Sequence, residues 1–457
     1  MNSEKQQSGE FKKVLGLGSL IIFGLAYMAP TVVFNYYGPL SVASEGMYPT
    51  CFVITAIAMF FTAFSYANMS KEFQKSGSAY VYVQKSLNPH FGFAAGWVML
   101  LDYLLLPMIC ILCVAIYMET YVPAVPAWAW VILLVALLFV INAMGISMAA
   151  KVDTVIVIAQ LLMMALFVAV GIVTIARGGI DGTANGLIDG TAFYNPDVFE
   201  FRLVLYPAAI LCVSFLGFDA VSTLSEEAKH PKKDIPRAIV LVCLGAGLVF
   251  TLIAYIAQAM WPVGYQQITD PDSGIFELLA RIQTIPHMDI MFLVVDNIGS
   301  VACALSGQAA VIRIMYNMGR DNILPKKIFG HMSKKGVPLY NLIIVGLIGL
   351  VALFFTDNIL GGVELVSFGA LTGFILVNIS VPFYFFRKKG IRGGKAIFNY
   401  GALPLIATVI CVYLWLNMAA AAKIIGIIWL AVGIVILAVK TKGFRKLPPE
   451  MDIEYTT

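Results

Sequence analysis

Twelve stretches of this chain are apolar for about as long as a bilayer is thick, and that repetition leaves few folds open. A helix rises about 1.5 Å per residue, so a hydrocarbon core of about 30 Å takes roughly 20 apolar residues to cross. The runs lie near 14–44, 48–69, 91–117, 126–146, 154–176, 203–227, 237–260, 288–318, 338–356, 362–386, 399–420 and 423–440. No water reaches backbone N–H and C=O groups at that depth, so each run must satisfy its own as a helix. Charged residues make up only 12% of the 457 and apolar ones 60%, against about 25% charged in soluble domains. The sequence predicts an all-α integral membrane fold of twelve transmembrane helices.

Orientation follows from the basic residues. If the first run leaves the cytoplasm, all but four of the 30 Lys and Arg fall on the cytoplasmic side, the exceptions being Arg177, Arg202, Arg281 and Lys423. The positive-inside rule therefore predicts a multi-pass plasma (inner) membrane protein with cytoplasmic tails at 1–13 and 441–457. The first apolar run starts near Val14 and continues far beyond a signal h-region, so no cleavable signal peptide is read. The segments 177–202 and 261–287, rich in Gly, Asp and Pro, are expected as external loops. All seven cysteines lie inside apolar runs. Cys110 and Cys113 have CxxC spacing, but no second pair or nearby His completes a metal site, and the set reads as free core thiols.

Two of the runs are interrupted. The first carries Gly24-Leu-Ala-Tyr-Met-Ala-Pro30 and the sixth Ser214-Phe-Leu-Gly217. They are five runs apart and so cross in opposite directions. Unwound segments at matching places in two inverted halves point to a central solute site. Pro30 has no N–H to bond the carbonyl of Ala26. Met28-Ala29-Pro30 thus offers free carbonyls to a cation at the negative end of a half-helix, while the amides of Thr31 and Val32 remain open to a carboxylate.

Ionisable groups inside apolar runs cost about 2.5–3.5 kcal/mol on insertion scales and are functional candidates by default. Asp219 follows the second break, Asp102 lies in LLDYLLLPMI and Asp296 in LVVDNIGS. Each is a candidate for binding a substrate ammonium or carrying a coupled proton. The alternatives are local backbone capping for Asp219, satisfaction by neighbouring hydroxyls or amides for Asp102, and a wet helix end for Asp296. Asn35 lies five residues past Pro30. Tyr27, Tyr103, Phe215 and Phe218 are placed to enclose a cation with ring faces. Glu226 and Glu227, beside Lys229, Lys232, Lys233 and Arg237, are expected in an inner gate network, where exposed pairs are worth only about 0–1 kcal/mol and can break and reform.

Three segments carry a family resemblance: SFLGFDAVSTLSEEAKHPKKDIPRAI, RIMYNMGRDNILP (Arg313 to Pro325) and GSAYVYVQKSLNPHFGFAAGW (Gly77 to Trp97). Together with the twelve-run layout, the chain resembles the amino acid-polyamine-organocation (APC) superfamily. Within it, GLAYMAP, LLDYLLLPMI and FLGFDAVSTLSEE look closest to bacterial putrescine importers. The resemblance implies a LeuT-like 5+5 inverted repeat with discontinuous helices 1 and 6, followed by two C-terminal helices. Residues 14–176 would form the first repeat, 203–386 the second and 399–440 helices 11 and 12 of a single transporter domain. It further implies alternating access, Phe215 as an occluding gate, Asp219 as a substrate-responsive acid and Asp102 as the importers' third-helix acid. Two positions depart from the pattern. Gln160 stands where many members carry a proton-coupling Lys, and Asn35 where the importers suggest an Asp.

The expected function is a secondary active transporter taking up a small amine such as putrescine, or a related polyamine or amino acid, probed through Tyr27, Met28, Ala29, Thr31, Asn35, Asp102, Tyr103, Ser214, Phe215, Gly217 and Asp219. Exchange of amino acid for amine, or neutral amino acid transport, is the alternative. No cofactor or metal is expected. The proton gradient is the expected drive, with sodium held open through hydroxyls such as Ser300 and Ser306. The partners expected are the small solute and the lipid bilayer, not nucleic acid, with the chain a monomer or homodimer. No HExxH, GxSxG or Walker loop supports an enzyme or ATP-driven pump.

Overall fold

The first span is not one helix. In a computed structural model, which describes residues 13–448 apart from 75–77, 145–149, 321–323 and 334–336, an α-helix over Leu17–Met28 stops at Ala29, whose φ of 47° is left-handed. Helix resumes as Val32–Asn35 and Tyr37–Ala43. The cause is the one read from sequence: Pro30 cannot donate to Ala26, whose carbonyl is taken instead by the amide of Ala29 at 3.3 Å. The sixth span breaks by a different device. Its α-helix, Phe201–Leu211, tightens into a 3-10 turn over Cys212–Phe215, reverses through Gly217 and continues as 3-10 turns over Ala220–Leu224. Gly217 has φ 139°, open to glycine and few others.

The two breaks touch. A Cβ on Gly217 would lie 2.5 Å from the Gly24 carbonyl oxygen and 2.7 Å from Met28 Cγ, and one on Gly24 would meet Val221 Cγ2 at 2.9 Å. Glycine on each side lets backbone approach backbone where lipid offers no partner.

Ten helices among the described residues are long and apolar enough to cross a membrane. They are Leu17–Asn35, Tyr48–Glu72, Pro89–Tyr121, Thr154–Ala176, Phe201–Leu224, Pro231–Met260, Met288–Tyr316, Ile359–Lys388, Gly394–Asn417 and Ala420–Lys440. Two shorter apolar helices, Ala127–Ala143 and Leu339–Phe354, occupy the fourth and ninth predicted runs. The ninth ends in a 3-10 stretch, Leu350–Phe354, which rises about 2.0 Å per residue and so lengthens a short helix. The tails at 1–12 and 449–457, Gly77, Lys75, Lys334, Lys335 and residues 321–323 of the RIMYNMGRDNILP segment lie outside the described residues, as do the side chains of Lys151, Arg313 and Arg320.

The last span is clamped to the third. Trp97 Nε1 donates to the Trp429 carbonyl and Trp429 Nε1 to the Trp97 carbonyl, both at 2.9 Å, and the rings stack with centroids 4.8 Å apart. Gly426 and Gly433, two turns apart, sit against Phe368 and Trp97, where any side chain would collide. A buried indole N–H needs an acceptor, and the backbone carbonyl of each Trp supplies one to the ring of the other.

The fold thus hinges on Gly217. Gly217→Ala is expected to cost about 1–3 kcal/mol through strain and collision and to lower the Tm of detergent-solubilised protein. Gly245→Ala, with open space around its Cβ, is expected to leave Tm unchanged.

Candidate functional site

Between the first break and spans three, six and eight lies a cavity of about 30 Å³. Predicted residues Tyr27, Met28, Ala29 and Asn35 line it with Ser300, the hydroxyl named for a sodium ion, joined by Cys110, Cys113 and Cys303, which sequence reasoning did not place there. A water needs about 10–15 Å³ of such space, so the cavity takes about two waters and no organic solute.

Two acids sit at one end of this region. Asp219 is 2% exposed, and its Oδ1 accepts the Gly217 amide at 3.1 Å, closing the backbone that the second break opens. Asp102 is 1% exposed and its Oδ1 has no partner among the described residues. The backbone of span three passes close to span ten here, since a Cβ on Gly369 would lie 3.2 Å from the Asp102 amide. Each carboxylate lies within electrostatic reach of the other and of Tyr27, Tyr66 and Tyr103. The Tyr27 and Tyr103 rings meet edge to face at 6.3 Å, and the hydroxyls of Tyr27 and Tyr66 are buried without partners. Two like charges cannot share so dry a place unless a proton or a cation joins them.

Asp296 forms a second group. It is buried rather than wet, at 1% exposure. With its amide assigned so that the nitrogen faces these acceptors, Asn35 donates to Asp296 Oδ1 at 3.2 Å and to the Thr31 carbonyl at 3.3 Å. Thr31 accepts from Gln160 Nε2 at 2.9 Å. The departures at Asn35 and Gln160 therefore meet in one network on the first, fifth and eighth spans. Ser300 lines the central cavity, whereas Ser306 faces a separate pocket beside Gln160.

Other predicted residues fall elsewhere. Phe215 is fully buried and packs edge to face on Phe250 at 5.7 Å, and it does not line the central cavity. Phe218 packs on Tyr66 and Phe374. Ser214 Oγ is buried without a partner. At the basic face the joint runs through backbone. The amides of Val14 and Leu15 donate to the Glu227 carbonyl at 3.0 Å, and the Lys229 amide donates to the Leu15 carbonyl at 2.8 Å. Glu226 sits beside this strap, and among the described residues the Glu227 side chain makes no ion pair. The ion pair found on this face is Lys389 with Glu72.

At the opposite face, the loop after span seven closes over the first span. Gly38 presses on Pro271 and Gly274, and Asp272 Oδ2 accepts the Ile359 amide at 3.1 Å. Glu364, an acid that sequence reasoning missed although it lies in an apolar run, is buried at this end of span ten and receives the Tyr206 hydroxyl.

The family model for amino acid permeases matches residues 14–447. The chain belongs to the amino acid permease family. This permease is 36% identical over 446 residues to the low-affinity putrescine importer PlaP of Escherichia coli K12, covering 97% of each chain. It is 25% identical to the branched-chain amino acid permease BcaP of Bacillus subtilis, covering 96% of each. It is 26% identical to the lysine-specific permease LysP of Lactococcus lactis, covering 84% of this chain and 76% of that one. The permease is a multi-pass membrane transporter, and the APC resemblance read from its motifs holds along the chain.

The two acids at the breaks differ in what they do for the fold of this permease. Asp219→Ala strips the Gly217 amide of its acceptor and is expected to cost about 1–3 kcal/mol, whereas Asp219→Asn keeps an oxygen there and should hold its Tm. Asp102→Asn removes a charge that no described group pairs, so its Tm is expected to equal or exceed that of the wild type.

The lid supplies a pH dependence. Burial pushes the Asp272 carboxyl above its ordinary range, against the pull of the Ile359 amide, and Asp270 and Asp357 push it further. The closed lid therefore binds a proton more tightly than an open, solvated one, and closure weakens as pH rises through that raised value. Hydrogen exchange over Gly274–Ala280 should speed up across that window beyond the intrinsic pH effect, and Asp272→Asn should flatten the response.

Proposed function

We propose that this permease is a secondary active transporter that takes up a small organic amine, putrescine or a related polyamine, by alternating access coupled to protons. The observation that carries the reading is Asp102, a carboxylate buried in hydrocarbon with an oxygen left unpaired, set against Asp219 and a ring of tyrosines beside two broken helices. An ammonium completes that arrangement as a charge-assisted pair and a ring-enclosed cation at once. With the ammonium on Asp102, the charge of Asp219 still has to be met, and a proton carried there moves in the same direction as the amine; that co-binding is the coupling. Asp102, Asp219 and Asp296 are the carboxyls available for it. The carbonyl-rich first break favours a cation over a carboxylate, and the Gly217 amide freed by the second break is already held by Asp219. The likeness to a putrescine importer over the whole chain points the same way.

In this reading the twelve apolar helices are all membrane spans. Spans one to five and six to ten form the inverted LeuT-like repeats, and the matched breaks in the first and sixth support it. The basic face is cytoplasmic. Opening at that face requires the Leu15–Ala228 strap and the Lys389–Glu72 pair to part; opening outward requires the Asp272 lid to lift from Ile359.

A thermal-shift screen of diamines, cationic amino acids and neutral amino acids tests the proposal. At least one amine should raise Tm, and Asp102→Asn or Asp219→Asn should abolish that rise. Uptake into vesicles should stop when the pH gradient is collapsed. Stabilisation by neutral amino acids alone, indifferent to both substitutions, would replace the amine reading with neutral amino acid transport. Accelerated counterflow that persists without a gradient would make the permease an exchanger.

A further inference from the structure

Asp296 is buried, yet Oδ2 of its carboxylate has no partner among the described residues. The neighbours that reach it are all neutral. Asn35 gives an amide N–H to Oδ1. The Thr31 hydroxyl faces the same carboxylate and, because it already accepts from Gln160, has its proton to give. Gln160 reaches Thr31 only because span eight has a glycine at 299, where a side chain would strike the Gln160 amide. A metal ion held by hard ligands needs several oxygens turned toward it. These neighbours turn donors toward the carboxylate and leave one charged acceptor open, which suits a group that is itself a donor and a cation. Asn35, and Ser300 one turn from Asp296, both line the central cavity.

This group is far from Asp102. Leu106, Ile109, Cys110 and Cys113 line the cavity as one helical stripe of span three, and Asp102 begins that stripe. Asp296 acts electrostatically on the far end of it, on Cys113, Cys110 and Tyr117. From Asp102 to Cys113 is eleven residues, or about 16 Å along the helix axis. An extended chain advances about 1.2 Å per bond, so the five bonds between the nitrogens of a four-carbon diamine span about 6 Å. Such a molecule cannot touch both carboxylates.

We propose that Asp296, Asn35 and Thr31 form a second ammonium-binding station, in series with the one at Asp102 and Asp219 and able to be filled at the same time by a separate amine. This rests on the amine reading above and adds to it a stoichiometry and an order of passage along the span-three stripe.

Equilibrium dialysis of radiolabelled putrescine against the purified full chain tests it. Two molecules are expected to bind per wild-type chain. Asp296→Asn, an isosteric change, should leave one, with the remaining Kd changed by less than about twofold, and Asp102→Asn should also leave one. Thr31→Val, which keeps shape and removes a donor to the Asp296 carboxylate, should shift the Kd of one of the two sites by about tenfold and leave the other within about twofold, and it serves if Asp296→Asn does not fold. A single wild-type site that survives Asp296→Asn overturns the second station. So does a single site that both Asp substitutions destroy, which would mean one shared site. A sodium-dependent rise in Tm that Asp296→Asn abolishes, with amine binding untouched, would overturn the ammonium assignment in favour of a metal ion. No amine binding by wild-type protein would instead remove the amine reading itself.

Discussion

Everything in this permease depends on peptide groups that have lost their helical partners inside the membrane. A hydrocarbon environment offers no water, so each opened N–H or C=O must be met by protein or left to bind something else. The two breaks solve this unequally. At the sixth span the freed Gly217 amide is met by Asp219, two residues on. At the first span, Ala29 and Pro30 leave the chain turned by a left-handed residue, and the next helical segments are only four and seven residues long. The first break is therefore the more open of the two, and the partly unmet polar groups of spans three and eight lie around it.

The contact between the breaks ties the site to the transport motion. Gly217 lies against Gly24 and Met28, so the two discontinuous spans cannot slide independently. Movement at the centre must reach both faces through their half-helices. At the basic face the inner half of span six is bound by backbone hydrogen bonds to the residues just before the first helix. The opposite halves are held by the lid, through glycine contact at Gly38 and a single carboxylate at Asp272. One latch is thus peptide-based and insensitive to side-chain charge, and the other contains a titratable group.

The sequence made the helices legible because the bilayer imposes a length on them, and the predicted runs and the observed helices coincide closely. Both breaks were legible for a local reason, a proline without its donor and a glycine beside small residues. Burial of Asp102 and Asp219 was also foreseeable, since an acid in mid-run has nowhere else to go, whereas Asp296 was open to a wet helix end and is buried. What could not be read was direction. Phe215 stands in the motif as a gate, but its rotation about a 3-10 turn sends the ring to Phe250, because three residues per turn shift a side chain away from where an α-helix would point it. Glu227 was read for its charge, while its carbonyl does the work. The pairing of Asn35, Thr31 and Gln160 with Asp296 joins residues up to 265 positions apart, and no local pattern announces it. Cys110 and Cys113 had one signal, their helical register with Asp102 on span three, and Cys303 on span eight had none.

The size of the central cavity gives these placements their meaning. Space for about two waters cannot hold any amine, so the groups that line the first break are packed on one another here. Asp219 spends an oxygen on the backbone, whereas Asp102 and Asp296 each keep one oxygen unmet among the described residues. The three acids therefore hold different reserves. A cation admitted here would improve the surroundings of Asp102 and Asp296 more than those of Asp219, because it supplies the partner that each of them lacks. Asp219 gives up nothing if it meets the solute with its second oxygen while the first still caps Gly217. In the amine reading proposed above, such a site resists opening when empty and yields to a charge of the right sign, the asymmetry that alternating access needs to avoid leaking.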